Sequence, residues 1–168
     1  MQELRHVYLI FSVLMLVTVA ACAEDKPAPK LLELADAVAL KVYKSPTCGC
    51  CGKWIAHAEE NGFKAEVVHP ADLNGVKASF GIPPRYQSCH TAVSDEGYIF
   101  EGHIPAKIIR RFLQEKPADA IGLAVPAMPV GSPGMEVGDK FMPYQVMLLK
   151  SDGGVEVFAD VSSRGGQF

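Results

Sequence analysis

An α/β fold is predicted by three observations: short apolar, β-rich runs alternate with segments of helical period, turn residues separate them, and the chain ends in strand-like alternation. Leu31–Leu40 has the composition to begin as a short helix. Ala39-Leu40-Lys41-Val42-Tyr43 then reads as a buried strand, ended by Ser45-Pro46. A helix follows three close-set cysteines, with Trp54, Ile55 and Ala58 on one face and Asn61-Gly62 as its C-terminal stop. Ala65–Val68 reads as a second strand and Asp72–Phe80 as a short helix, before Gly81-Ile82-Pro83-Pro84 breaks the chain. Cys89–Ser94 and Tyr98–Glu101 flank Asp95-Glu96-Gly97, the pattern of a β-hairpin. Pro105 opens a last helix, where Ile108, Ile109, Phe112 and Leu113 recur at helical spacing until Pro117 closes it.

The resulting order, βαβα-ββα, is that of a thioredoxin-like core. Beyond it, residues 121–141 are rich in Gly, Pro and Met without a hydrophobic period, so an ordered loop lying on the domain is expected. Gln145–Leu149 and Val155–Ala159 alternate around Asp152-Gly153-Gly154 and predict a C-terminal hairpin, which either extends the sheet or covers that loop. The expected division is a signal segment at 1–23, a tether at 24–38, the thioredoxin-like domain at 39–160 and a tail at 161–168.

At 168 residues, 49% hydrophobic and 21% charged, the chain suits one globular domain plus an export signal. The net charge of −3 and the lack of any Lys/Arg cluster remove the electrostatic term that dominates nucleic-acid binding, so no nucleic-acid partner is expected. Arg5, the apolar run Val7–Val19 and the small residues Ala20, Ala21 and Ala23 form a secretory signal. A spanning helix needs about 20 apolar residues, more than this run supplies. Ala21-Cys22-Ala23 fits a cleavage site, whereas Val19-Ala20-Ala21-Cys22 resembles a lipoprotein box. Membrane attachment is expected only through a lipid on Cys22.

Setting Cys22 aside leaves Cys48, Cys50, Cys51 and Cys89, a number that suits a metal site or two disulfides. Cys48-Gly49-Cys50-Cys51-Gly52 lies where a strand hands over to a helix. There, unsatisfied N–H groups and the helix dipole favour thiolate, the species that binds metal or attacks disulfides. Cys48 and Cys51 make a C-x-x-C pair. Cys50, inside it, is surplus to dithiol chemistry but useful for bridging soft metal ions. Cys89 falls at or just before the third strand, which brings a fourth thiol to the first three. Gln87-Ser88-Cys89-His90-Thr91 holds no proline, whereas redox-active thioredoxin relatives carry a cis-proline there. Structural disulfides and a structural zinc held by the four cysteines remain open alternatives on these residues.

The chain resembles the CopG-type family of periplasmic copper-resistance proteins over roughly 40–158. The resemblance rests on Cys48-Gly49-Cys50-Cys51-Gly52-Lys53-Trp54, Ser88-Cys89-His90-Thr91-Ala92, Glu101-Gly102-His103-Ile104-Pro105 and Gly122-Leu123-Ala124-Val125-Pro126-Ala127-Met128-Pro129. It implies a thioredoxin-like periplasmic protein whose cysteine-rich site holds copper, as one ion or a cluster, and which sequesters or interconverts Cu(I) and Cu(II). Copper ions, and other periplasmic copper-handling proteins, are the partners it implies.

Met128 and Met135 flank Pro129-Val130-Gly131-Ser132-Pro133-Gly134, where core methionines would be out of place, and thioether sulfur prefers Cu(I). The alternative is that they fill apolar gaps beneath the loop. Met142 and Met147 read as structural. His90, beside Cys89, and His103, before the last helix, are candidate imidazole ligands; a helix-entry hydrogen bond is the other reading of His103. His57, His69 and Lys53 have weaker claims. A thiol-disulfide oxidoreductase using Cys48 and Cys51 is the rival enzymatic reading, and a module stapled by disulfides or zinc the rival structural one.

Overall fold

The computed structural model describes residues 37–168. The expected signal segment, Cys22 and nearly all of the tether lie outside the described residues. The core alternates strands β1 (Val38–Lys44), β2 (Phe63–Val68), β3 (His90–Ser94) and β4 (Ile99–Glu101) with helices α1 (Gly49–Glu60), α2 (Leu73–Ser79) and α3 (Ala106–Glu115). Strands β5 (Ala120–Ala124), β6 (Tyr144–Lys150) and β7 (Val155–Val161) complete a seven-stranded sheet of order β2-β1-β3-β4-β5-β6-β7. The α/β class and the predicted order of its elements are both present.

The strand read at Ala39–Tyr43 is present within β1, and residues 31–36 of the helix expected from Leu31 lie outside the described residues. One expectation is corrected. The segment read as a loop from 121 starts instead as β5, parallel to β4, with Gly122, Leu123 and Ala124 buried. Ala120–Ala124 is a short continuous apolar run, the mark of a strand covered on both faces, and it shows no alternation that would betray it. The loop proper follows β5. The C-terminal hairpin extends the sheet, since β6 pairs with β5 and β7 with β6.

Alternation in the middle strands feeds two hydrophobic clusters. Phe100, Leu123 and Leu148 share one with Val42, Trp54, Ile109 and Phe112, while their neighbours Ile99, Ala124 and Leu149 join Ile82 in the other. Successive side chains of a strand face opposite sides, so the sheet is covered on both. Helix α3 buries Ile108, Ile109 and Phe112 and exposes Arg110 and Arg111. The Phe112 ring meets Tyr98, Phe100 and Phe158 edge-on at centroid distances of 5.0, 5.6 and 5.9 Å, which fastens α3 to both β4 and β7. Burial of each such side chain stabilises by about 1.5–3 kcal/mol. Beyond β7, Arg164–Gln167 forms a 3-10 turn; Gln167 is buried, accepts the Tyr144 hydroxyl at 2.6 Å and donates to the Gly131 carbonyl at 2.9 Å. That bond tethers the loop after β5 to the end of the chain.

Candidate metal centre

The register Lys44↔His90 makes β1 and β3 leave the sheet at one end. The chain after β1 therefore runs into Cys48 beside the chain that carries Cys89 into β3. Cys48 is the N-cap of α1, with Sγ accepting the Cys51 N–H at 3.3 Å, a role usually taken by an oxygen of Ser or Asp. Cys50 and Cys51 follow in the first turn. Cys51 is fully buried; Cys48, Cys50 and Cys89 are half-buried. The four sulfurs lie within 4.8 Å of one another. Cys48 and Cys51 are joined as a disulfide, and Cys50 and Cys89 are free thiols. Cys89 Sγ stands 3.4 Å from Cys51 Sγ and 3.8 Å from Cys50 Sγ, and Cys50 Sγ 3.5 Å from Cys48 Sγ.

Both candidate imidazoles reach this cluster at Cys89. His103 Nε2 lies 3.0 Å and His90 Nδ1 3.4 Å from Cys89 Sγ. The other nitrogen of His103, Nδ1, is 2.8 Å from the Pro133 carbonyl. A carbonyl only accepts, so Nδ1 carries the proton and Nε2 turns its lone pair toward Cys89, the orientation a metal-ligating histidine needs. His90 is fully buried, its ring 4.4 Å from Trp54 and 5.0 Å from His103, and its Nε2 has no hydrogen-bond partner among the described residues.

The environment keeps these groups neutral. Burial lowers the pKa of His103, against the opposing effects of the Pro133 bond and Glu136. Burial, together with the neighbouring His103, Lys77 and Lys44, holds His90 well below the ordinary histidine range. Burial, then Cys50, pushes the Cys89 thiol up to about 12. Burial and the neighbouring Cys50 keep the Cys89 thiol protonated, so a cation binding there must displace its proton.

The donor set itself tests the metal reading. Once the Cys48–Cys51 bond is reduced, four sulfurs and two neutral imidazole nitrogens are soft or borderline ligands, suited to Cu(I) and also to zinc; among the described residues no carboxylate joins either group. Magnesium or calcium would require oxygen ligands.

The loop after β5 packs directly on this site. A Cβ at Gly134 would lie 2.7 Å from the Cys50 carbonyl and 2.8 Å from the Trp54 amide nitrogen, so only glycine permits that approach. Met135 follows it and is half-buried; Met128 is exposed and follows Ala127, whose carbonyl accepts the Ser88 hydroxyl. Both methionines are thus sequence neighbours of residues that touch the cysteine segments. Met142 is exposed and Met147 half-buried within β6.

His57 has a structural role: its Nε2 accepts the Ala106 N–H at 3.1 Å, capping α3, where Pro105 offers no side-chain cap. His69 Nδ1 pairs with the Lys44 carbonyl at 3.0 Å, and Lys53 is exposed. Sequence reasoning assigned no role to Lys77, Glu101 or Thr91, which form a buried polar cluster beside the site. Lys77 lies on a seven-residue helix whose short apolar pattern gave no sign of which side is buried.

Comparison with known proteins decides the family. The family described as "Protein of unknown function, DUF411" matches residues 86–135. Two solved structures named "Copper resistance protein copG", forms 2 and 1, are 45% identical, with TM-scores of 0.71 and 0.70. Each alignment covers 75% of this chain, and 99% and 98% of the respective relative. This chain belongs to the CopG family. No curated protein matches it. Among the described residues, no helix is long and apolar enough to cross a membrane.

Proposed function

We propose that this protein is an exported copper-binding protein of thioredoxin-like core, which holds Cu(I) through Cys48, Cys50, Cys51 and Cys89 with His103 and His90 beside them. One observation carries the reading: four sulfurs from two segments gather at one point, and an oriented imidazole lone pair from a third segment meets them at Cys89. The copper-resistance names of the relatives support the choice of copper over zinc. Binding through all four sulfurs follows reduction of the Cys48–Cys51 bond by an external dithiol, which supplies two electrons and two protons and is itself oxidised to a disulfide; copper binding then releases thiol protons. Met128 and Met135 are proposed as auxiliary thioether donors from the covering loop. Sequestration of one ion or a small cluster would lower free copper in the periplasm, and the mixed sulfur and nitrogen donors suit a site that serves both Cu(I) and Cu(II). Lipidation of Cys22 would anchor the protein, and periplasmic copper carriers are its proposed partners.

The test is elemental analysis of the reduced mature domain after anaerobic Cu(I) loading, beside Cys50→Ser. The expected result is at least one copper per chain, with less in the variant. Absence of copper after loading would sink the reading, and zinc in its place would indicate a structural site. A second reading, dithiol–disulfide exchange, is favoured by the Cys48–Cys51 bond with Cys89 Sγ 3.4 Å from Cys51. It predicts metal-free reduction of insulin disulfides, abolished by Cys48→Ser.

A further inference from the structure

Next to the sulfur cluster lies an ion pair withdrawn from solvent: Lys77 is 2% exposed and Glu101 0%. Lys77 Nζ donates to Glu101 Oε1 at 2.5 Å and to Thr91 Oγ1 at 3.0 Å, and the Thr91 hydroxyl donates to Oε2 at 2.5 Å. The desolvation penalty of such a pair often exceeds its attraction, and apolar residues of similar volume can fill the space with equal or greater stability. Stability alone therefore does not account for it. What an apolar pair could not supply is the remaining bond: Glu101 Oε1 accepts the Ser88 N–H at 2.6 Å.

Ser88 immediately precedes Cys89. Glu101 pairs with Thr91 across β3 and β4, the Gly102 N–H donates to the His90 carbonyl at 2.9 Å, and His103 follows. The carboxylate thus sits where the segment carrying Cys89 meets the segment carrying His103. We infer that Glu101 is a positioning residue: through the Ser88 N–H it fixes the Cys89 turn relative to His103, while Lys77 and Thr91 hold the carboxylate in place. A charge-assisted bond to a backbone amide is shorter and stiffer than one to water, and it constrains a turn that no regular secondary structure holds. The consequence for metal binding rests on the copper reading above; the constraint on Cys89 does not.

The test compares three full-length proteins: wild type, Lys77→Met/Glu101→Gln, and Lys77→Met/Thr91→Val/Glu101→Leu. Both variants avoid a lone buried charge. The glutamine retains an oxygen for the Ser88 N–H and an amide for Thr91; the leucine variant removes the acceptor without stranding the threonine hydroxyl. Cys89 alkylation in the reduced, metal-free protein is followed by mass spectrometry, and Cu(I) affinity by competition with a chromophoric chelator. The leucine variant should alkylate roughly 10-fold faster and bind Cu(I) about 10–100-fold more weakly, the range typical of outer-shell partners, whereas the glutamine variant should stay within about 3-fold of wild type. Equal behaviour of the two variants, whether both near wild type or both impaired, overturns the assignment. Should the leucine variant fail to fold, Ser88→Pro against Ser88→Ala decides. Proline removes the same N–H and suits the extended Gln87 before it (φ −74°, ψ 149°), and alkylation unchanged between the two overturns the inference. A wild type that binds no Cu(I) sinks the copper reading alone, since the alkylation rates still test Glu101.

Discussion

The two halves of the sulfur site are built in opposite ways. Cys48, Cys50 and Cys51 sit within four consecutive residues at the start of one helix, and the helix geometry alone brings them together. Cys89 and His103 arrive from the ends of two strands, at least 38 positions from those cysteines, and are held by contacts that are long-range throughout: Glu101 to Ser88, Gly102 to His90, and Pro133 to His103. The local half tolerates change around it because helix formation specifies it. The distal half depends on close packing, so small changes there should move both stability and metal binding.

The sharpest way to break this contrast is a pair of glycine substitutions. A Cβ at Gly102, where φ is +80°, would lie 2.6 Å from both the Ser88 Cβ and the Val125 carbonyl oxygen, whereas one at Gly49 meets nothing within 4 Å. Gly102→Ala should cost about 2–4 kcal/mol and lower Tm by roughly 10 °C, while Gly49→Ala should be neutral or stabilise by up to about 1 kcal/mol. Thermal unfolding of the metal-free proteins measures both, and equal losses would show that the halves do not differ.

Gly134→Ala sharpens the comparison at the covering loop. Its Cβ would push the loop off Cys50 and Trp54 and carry the Pro133 carbonyl away from His103. A stability loss of about 1–3 kcal/mol is expected, with Cu(I) affinity down about 10-fold as His103 loses its orienting acceptor. Chelator competition reads the second effect, and an unchanged affinity would remove His103 from the donor set.

His57 links the halves, since it lies on the cysteine helix and caps the helix that follows His103. Burial lowers its pKa, so the unfolded chain takes up a proton first as pH falls. The unfolded state then binds more protons, and stability is lost below the unfolded histidine value of about 6.5, where the protonated ring can no longer accept the Ala106 N–H. Chemical denaturation at pH 7.5 and 5.5 should show this loss, and His57→Phe should reduce the difference while costing about 1 kcal/mol at pH 7.5. A pH slope identical in the variant would place the titration elsewhere.

The smallest effect is expected from Met128→Ala, because that residue is exposed and auxiliary at most. Cu(I) affinity should fall by less than about 3-fold, measured by the same competition. A loss as large as that of Cys89→Ser would give the loop a weight equal to that of either half.

The order βαβα-ββα and the clustering of Cys48, Cys50 and Cys51 at a helix start were legible in the sequence, because apolar period, stop residues and motif spacing are local signals. So was the approach of Cys89, since a strand order constrains which chain ends meet. Strand β5 was not legible: a strand buried on both faces has no alternation to read, and Gly122 with the prolines beyond it gave that stretch the composition of a loop. Tertiary structure alone decided that the Pro133 carbonyl sets the proton on His103 and that Lys77 turns inward to meet Glu101. The physical reason is common to both. A hydrogen-bond partner or a withdrawn charge is defined by what lies opposite in space, and nothing in the period of either segment records that.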